Sequence, residues 1–391
     1  MIDDMDAIKA VTAPDPYPYY ADLVASAPLG RDEHLGLWVA ASAEAVGAVL
    51  TSALCRVRPP TEPVPAALVG TTVGDVFGRL VRMNDGRAHA ALKPAVASAL
   101  DDLDVDRVMG RASSAARRLA DELAPAGAPE RLGDFALRLP VHVVAGLLGV
   151  PDPELARVAS WTQDFAAALA PGAASDTIVR GSDAVGGLRE MFRARTRDGE
   201  ARDHGGLGSL VDAARPSGID DEGVVANAIG LLFQPHEATA ALITNTVARL
   251  ATDAELYRRV KDDQATLRTA VHEVVRWDAP VQNTRRFVSN AGLVAGTHMN
   301  DGEAILVVLA AANRDPAVNP DPHRFDIGRA SRMAFTFGTG PHACPGETIA
   351  VAIATAGVGA LLKSGLEPTR LGPPAAYRRS VNVRMALWSS S

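Results

Sequence analysis

Residues 337–346 read Phe-Gly-Thr-Gly-Pro-His-Ala-Cys-Pro-Gly and contain Cys344, one of two cysteines in the chain. Glycines allow a tight loop, which a flat ligand can approach closely. Pro345 suits the first turn of a helix, where its missing N–H costs nothing. A thiolate there receives backbone N–H groups and faces the positive end of the helix dipole. The segment therefore offers the environment that an iron-bound thiolate beside a flat cofactor needs.

The spacing Phe-Gly-x-Gly-x-His-x-Cys-x-Gly resembles the haem-binding loop of the cytochrome P450 superfamily, the haem-thiolate monooxygenases. The resemblance implies that Cys344 ligates the iron of haem b. It also places Phe337, Gly338, His342 and Gly346 beside the cofactor. The alternative is a buried structural cysteine, which is the common role of a free cysteine. The number of matching positions favours the haem loop.

Composition narrows the class of protein. The chain has 391 residues, of which 47% are hydrophobic and 22% charged, with a net charge of −7, an ordinary globular balance. No basic run suggests nucleic acid, and no apolar run approaches the roughly 18 residues of a membrane span. The N-terminus lacks a signal peptide, and two cysteines fit a reducing compartment. We therefore expect a soluble cytoplasmic protein that binds neither nucleic acid nor membrane.

Helical patterns dominate the chain, with apolar residues three to four positions apart. They are clearest at 106–123, 182–195, 223–250 and 264–277. Strand-like segments are short and lie at 38–40, 284–288, 305–309 and 381–387. The resemblance implies the mainly α fold of the family, a triangular helical prism around a buried haem, with small β-sheets. We expect one domain over residues 1–391, with a β-containing lobe at roughly 30–60, 280–310 and 380–391 and a helical lobe elsewhere.

Haem carries two propionates, so its pocket needs cationic donors. His89 and Lys93 are four residues apart and share one helical face. They match the family's His-x-x-x-Arg, except that Lys93 replaces the arginine. A lysine offers a point charge, whereas an arginine can donate two parallel hydrogen bonds to a carboxylate. The resemblance adds Arg286 and His342 to the propionate contacts. Each alone would be read as a solvated surface residue, but together with the cysteine loop they favour propionate binding.

A second motif lies at 272–276, His-Glu-Val-Val-Arg, where Glu273 and Arg276 share a helix face. An isolated pair of this kind is commonly a weak surface contact. Beside the cysteine loop it resembles the family's Glu-x-x-Arg pair. The resemblance implies a buried charge network that Arg329 of the later meander closes, with a structural role.

The segment 234–239, Gln-Pro-His-Glu-Ala-Thr, departs from the family's Ala/Gly-Gly-x-Asp/Glu-Thr. Glu237 keeps the acid. Pro235 replaces the glycine and cannot donate to the carbonyl of Leu231, which predicts a kink or local opening of the helix. Ala238 replaces the threonine whose hydroxyl helps relay protons in the family.

The remaining hydroxyl, on Thr239, lies about 100° further around the helix and is expected to point elsewhere. Three explanations stay open: a substrate hydroxyl or water replaces the threonine, hydrogen peroxide drives the enzyme, or the reaction is aromatic coupling. The expected catalytic residues are Cys344, Glu237, Ala238 and Thr239. The expected substrate contacts are Gln234, Pro235, Ala238 and the loops at 59–72 and 161–174.

The resemblance implies a monooxygenase that oxidises a small organic substrate, expected to be a secondary-metabolite intermediate. Its electrons would come from a ferredoxin and a ferredoxin reductase. The competing class is a non-catalytic haem protein, either a ligand sensor or a recruitment partner.

Overall fold

The computed structural model describes residues 5–197 and 205–389, and this part of the chain is mainly helical with small β-sheets. The predicted fold class is therefore confirmed. The helices, α1 to α15, are Tyr17–Ser26, Ala43–Thr51, Thr72–Arg79, Gly86–Asp101, Val105–Leu123, Leu132–Leu147, Leu155–Ala168, Ser175–Arg197, Gly206–Ala214, Asp221–Ala251, Ala254–Val260, Gln264–Trp277, Leu309–Asn313, Glu347–Lys363 and Pro368–Leu371. The strands, β1 to β9, are Leu29–Asp32, Leu37–Ala40, Cys55–Arg56, Thr284–Val288, Gly292–Val294, Thr297–Met299, Ala304–Val307, Ala376–Tyr377 and Ala386–Leu387.

Helix α10 runs through the centre of the helical part. It begins where the Asp220 side chain accepts a hydrogen bond from the Gly223 amide at 2.7 Å, a standard N-terminal cap. Most of its residues are buried on all sides, as expected for a core helix. Pro235 lies inside it, and the residues on both sides remain helical. The predicted helix 223–250 therefore continues through the proline.

Helix α14 follows the cysteine loop and carries it into the core. It packs against α5, α10 and α12. Its close approach to α6 depends on Gly357, because a Cβ at that position would lie 2.7 Å from Leu139 Cδ2. The loop before α14 is thereby fixed against the centre of the molecule.

The main sheet has five strands in the order β1-β2-β7-β4-β3. Strand β4 has the predicted bounds and pairs antiparallel with β7, which places Arg286 opposite Ile305. The prediction for 305–309 was too long at its end, because β7 ends at Val307 and α13 begins at Leu309.

The predicted strand 381–387 was mostly wrong, since only Ala386–Leu387 forms a strand. Arg384 explains the difference: its side chain is 2% exposed and its Nε donates to Asp278 Oδ1 at 3.0 Å. Its terminal nitrogens donate to backbone carbonyls, including that of Ala13 at 2.6 Å. The segment follows a path that lets this guanidinium reach the interior, and a regular ladder is lost.

Among the described residues, no helix combines the length and the apolar character needed to cross a membrane.

Candidate active site

The loop before Cys344 has a backbone that only glycine adopts easily. Gly338 and Gly340 have φ angles of +71° and +70°, in the left-handed region. The Cys344 amide donates to the Phe337 carbonyl at 2.8 Å, which closes the loop. The Gly346 amide donates to Cys344 Sγ at 3.4 Å. The predicted loop and its hydrogen bond to sulfur are therefore present.

The side chain of Cys344 is exposed, and the surface that it borders is an interior cavity. Loss of contact with bulk water inside the cavity raises the pKa of the thiol. This effect is larger than the opposite effects of the Gly346 N–H and of the positive charges on Lys93 and Arg82. The loop and helix end alone do not ionise this sulfur, although the sequence suggested that they would. A metal ion bound to this sulfur would supply the missing positive charge, because a coordinating thiol is deprotonated.

A cavity of about 1430 Å³ separates the cysteine loop from α10. It exceeds the usual roughly 300–1,000 Å³ of a small-molecule pocket, so it has room for a cofactor together with a substrate. From the cysteine side it is bordered by Phe337, Gly338, His342, Cys344 and Gly346. From α10 it is bordered by Gln234, Pro235, Glu237, Ala238 and Thr239.

The four predicted propionate donors border this same cavity. His342 Nε2 lies 3.0 Å from Asp85 Oδ1, and its ring centroid lies 4.1 Å from that of His89. Burial, with the charges of His342 and Lys93, lowers the pKa of His89 to about 4, so this ring is neutral near pH 7. Lys93 Nζ donates to the Ala343 carbonyl. The structure brings these residues together, and their contact with propionates stays a prediction.

Arg286 completes that group from β4. It is 6% exposed, and it donates to the neighbouring Arg285 carbonyl at 2.8 Å. A cysteine that faces a large cavity, a glycine loop that permits close approach and a cationic edge fit a haem with its two propionates.

Glu237 has a partner that the sequence did not reveal. Its Oε1 accepts from Arg378 Nη1 at 2.7 Å, across 141 positions of the chain. The two side chains are 33% and 35% exposed. Nothing in the local sequence marks Arg378, because the contact depends on how the segment after β8 folds over α10.

His236 and Thr239 flank Glu237 and Ala238 in α10 and are both buried. His236 is 2% exposed, and its Nδ1 has no hydrogen-bond partner in the part of the chain that the structure describes. Burial, then the charge of Arg378, lowers its pKa to about 4. Thr239 is among the residues that border the cavity, but it is only 2% exposed, so little of it reaches the open surface. Where its hydroxyl points stays a prediction.

The two predicted substrate loops are only partly loops. Pro59, Glu62 and Pro65 border the cavity, in agreement with the first. In the second, residues 161–168 belong to α7, so the prediction of a loop was wrong there. Its Ala-rich composition is a helix-favouring one, and Gln163 borders the cavity from that helix.

The structural network is centred on Glu273, which is fully buried with Arg276 at 2.6 Å. Arg329 is nearby, with Nε 3.4 Å from Glu273 Oε1, but Arg332 Nε lies closer to Oε2, at 2.7 Å. Arg329 also donates to the Pro320 carbonyl at 2.6 Å. The sequence reasoning missed Arg332, which lies three positions after the arginine that matched the family pattern.

Comparison with known proteins extends the resemblance beyond these motifs. The sequence model of the family described as Cytochrome P450 matches residues 190–364. Cytochrome P450 monooxygenase PikC from Streptomyces venezuelae is 31% identical over 370 residues, which cover 92% of this chain and 86% of PikC. The 6-deoxyerythronolide B hydroxylase of Saccharopolyspora erythraea is 28% identical over 353 residues, covering 86% of this chain and 85% of the relative. The crystal structure of CalO2 matches with a TM-score of 0.80 at 25% identity, over 96% of both chains.

Proposed function

The chain belongs to the cytochrome P450 superfamily, and from this premise we propose that it oxidises a small organic intermediate of secondary metabolism with O2 and electrons from a ferredoxin. Members of the family are monooxygenases that bind haem b through a cysteine thiolate. The observation that carries the proposal is Cys344, at the end of its glycine loop, facing a cavity of about 1430 Å³. The relative that hydroxylates 6-deoxyerythronolide B supports the substrate class. We also propose that residues 1–391 form one domain with the β-containing lobe stated above.

When bound, haem b supplies the oxygen-activating chemistry, with electron density from its cysteine ligand favouring O–O cleavage. Cys344 would ligate the iron. Arg286 and Lys93 would hold the propionates as cations, with His342 and His89 as hydrogen-bonding partners. His342 is oriented for this by Asp85, to which it is bound at 3.0 Å.

Position 238 of α10 is an alanine, so groups other than a threonine hydroxyl must deliver protons there. Glu237 is held by Arg378 at 2.7 Å, which fixes its orientation toward the cavity. Pro235 offers no N–H to the Leu231 carbonyl, so that oxygen can accept from a water at the cavity wall. We propose that a substrate hydroxyl or an ordered water supplies what Ala238 lacks, with the hydroxyl of the adjacent Thr239 as the protein group to test.

A peroxide-driven reaction is the second candidate function, and Ala238 is the observation that favours it. Without a hydroxyl at that position, oxygen activation through proton relay is slower, whereas peroxide brings its own protons. Aromatic coupling and a non-catalytic haem sensor remain further alternatives, which measurement of turnover separates.

The thiolate assignment is tested by reducing the purified protein and adding carbon monoxide. The parent is expected to show the absorption band of a thiolate-ligated haem, and Cys344→Ser is expected to lose it. Cys55→Ser is the matched control, because Cys55 is buried in β3 and does not border the cavity. A parent that binds no haem, or a Cys344→Ser spectrum equal to that of the parent, would contradict the proposal.

The oxidant is tested with a substrate panel, comparing NADH with a surrogate ferredoxin system against hydrogen peroxide. Product from the first supports the monooxygenase, and product only from the second supports the peroxide-driven alternative. A haem-loaded protein that forms product with neither would favour the sensor.

The distal assignment is tested with Ala238→Thr and Thr239→Val. If a substrate group or water replaces the hydroxyl, Ala238→Thr leaves product per NADH little changed or weakens substrate fit. A large gain in product per NADH would show that nothing replaces the hydroxyl in the parent. Thr239→Val is expected to lower product per NADH only if its hydroxyl takes part.

A further inference from the structure

Arg82 is a cation inside the molecule that the proposed reaction does not use. It lies in the turn 81–83 just before α4 and borders the cavity. Burial lowers the pKa of its guanidinium, with the nearby Cys344 acting in the opposite direction. Its side chain is nevertheless accessible, so the surface it exposes faces the cavity. Among the described residues, it has no hydrogen-bond or ion-pair partner.

The turn that carries Arg82 is fixed to α10. Asn227 Oδ1 accepts from the Val81 amide at 2.8 Å, and Asn227 Nδ2 donates to the Arg79 carbonyl at 3.1 Å. Gly230 allows the contact, because a Cβ there would lie 2.8 Å from Leu80 Cδ2. Arg82 is therefore held at the cavity wall beside the helix that carries Ala238, close enough to Cys344 and Arg286 for their charges to interact.

The acids that border the cavity cannot neutralise this guanidinium. They are Glu62 and Glu237. Glu237 is engaged by Arg378 at 2.7 Å. Glu62 is exposed, and its Oε1 accepts from the Ala66 amide at 2.8 Å.

Arg58 and Lys93 border the same cavity and differ from Arg82 in having hydrogen-bond partners, and Arg285 and Arg379 border it from β4 and from the segment after β8. Arg58 donates to the Pro63 carbonyl at 2.8 Å and to Asn84 Oδ1 at 2.9 Å. Lys93 donates to the Ala343 carbonyl. Lys93 and Arg286, with the two histidines, would supply two propionates with donors if the predicted contacts form. Once a cofactor and a substrate fill the cavity, this guanidinium loses its water, and a charge buried without an anion is costly, so Arg82 calls for an anion from outside the chain.

We propose that Arg82 binds a carboxylate of the substrate. One guanidinium balances one negative charge, and its planar fork matches the two carboxylate oxygens. The cavity wall around it is apolar and suits the rest of an organic acid, with Leu80, Leu103, Leu231 and Phe233 among its residues. The inference rests on the proposed function and names its substrate class: a monocarboxylic acid with an apolar body.

The test uses imidazoles that carry an alkyl chain ending in a carboxylate, compared with the matched carboxamides over a series of chain lengths. The imidazole coordinates the haem iron in either case, and the shift of the haem absorption band reports binding. At the best chain length, the parent is expected to bind the carboxylate about 10-fold more tightly than the carboxamide, as one charge-assisted bidentate contact predicts. Arg82→Gln is expected to bring the ratio near unity, and Arg82→Lys to leave part of it.

Arg379→Gln is the control, because Arg379 also borders the cavity but lies in the segment after β8 and not in the turn that carries Arg82, and it is expected to keep the ratio. A simple 1-alkylimidazole is expected to bind the parent and Arg82→Gln equally. The inference is overturned if the parent shows no preference for carboxylates at any chain length, or if the preference survives in Arg82→Gln. It is also overturned if Arg82→Gln cannot retain haem, since Arg82 then serves the cofactor. A haem-loaded parent without the preference would leave the proposed function intact, whereas a parent without haem would remove both.

Discussion

Glu273 gives the sharpest test of how the structure holds the region beside the cysteine loop. It is fully buried and accepts from Arg276 at 2.6 Å and from Arg332 at 2.7 Å. Arg329 lies at 3.4 Å, at the limit of a hydrogen bond. We therefore expect Arg332 to be coupled to Glu273 more strongly than Arg329, although the family pattern pointed to Arg329.

The magnitudes follow from burial. Glu273→Gln leaves the buried charge of Arg276 without its carboxylate, and breaking such a pair costs about 3–5 kcal/mol. Arg332 is 21% exposed, so water compensates part of its loss, and we expect a coupling energy with Glu273 of about 2 kcal/mol. For Arg329 we expect less than about 1 kcal/mol of coupling. Its removal still lowers stability, because the guanidinium also donates to the carbonyls of Pro320 at 2.6 Å and Arg324 at 3.1 Å.

Two double-mutant cycles measure these couplings, one for Arg332→Gln with Glu273→Gln and one for Arg329→Gln with Glu273→Gln. Urea unfolding of the haem-bound protein, followed by far-UV circular dichroism, gives the free energy of unfolding for each variant. Arg329 is the more buried of the two, 8% exposed against 21%, so the expected order rests on distance. A coupling for Arg329 equal to or larger than that for Arg332 would refute it.

Two further predictions concern the distal side. Arg378→Gln is expected to change the free energy of unfolding by at most about 1 kcal/mol, because its pair with Glu237 is partly exposed; it is expected to lower product per NADH, with Arg379→Gln as the control that does not. His236 has its pKa lowered to about 4, so between its ordinary value near 6.5 and about 4 the unfolded chain binds the proton and the folded chain does not. The free energy of unfolding is therefore expected to fall as pH falls through that window, by up to about 3 kcal/mol from this residue. Urea unfolding at pH 7 and at pH 4.5 measures this fall, and His236→Leu is expected to reduce it. An equal fall in the parent and in His236→Leu would contradict the prediction.

Local sequence predicted those parts whose structure is set locally. Helix α12 has the predicted bounds, Gln264–Trp277, because its apolar spacing is regular and Asp263 caps its first turn. The cysteine loop was predictable for the same reason, since its glycines and the sulfur are neighbours in sequence. The central helix was found as well, and its proline did not end it.

The parts that failed depend on distant contacts. Arg329 and Arg332 lie in an irregular segment without periodicity, so the sequence could not show which of the two reaches Glu273. Arg378 meets Glu237 across 141 positions, and Arg82 is recognisable as an unpaired cation only once the cavity around it is known. Segment 381–387 looked like a strand because its apolar residues alternate, but the buried Arg384 determines its path.

Two features of the distal wall point to the same kind of ligand. The family hydroxyl is missing at Ala238, so the wall lacks a group that holds a proton at that position. Arg82 has no anion among the described residues, and Glu237, which also borders the cavity, is already neutralised by Arg378. No single substitution in the wall supplies both missing groups, because position 238 lacks a hydrogen-bonding group and Arg82 lacks a negative charge beside it. A bound organic acid brings an anion for the guanidinium and, through its own hydroxyl or a water that it holds, a hydrogen-bonding group near α10.

We therefore expect the effects of Ala238→Thr and Arg82→Gln on product per NADH to depend on each other. The threonine will change product per NADH more in the Arg82→Gln background, where the acid is no longer held, than in the parent, and equal effects in both backgrounds would separate the two features.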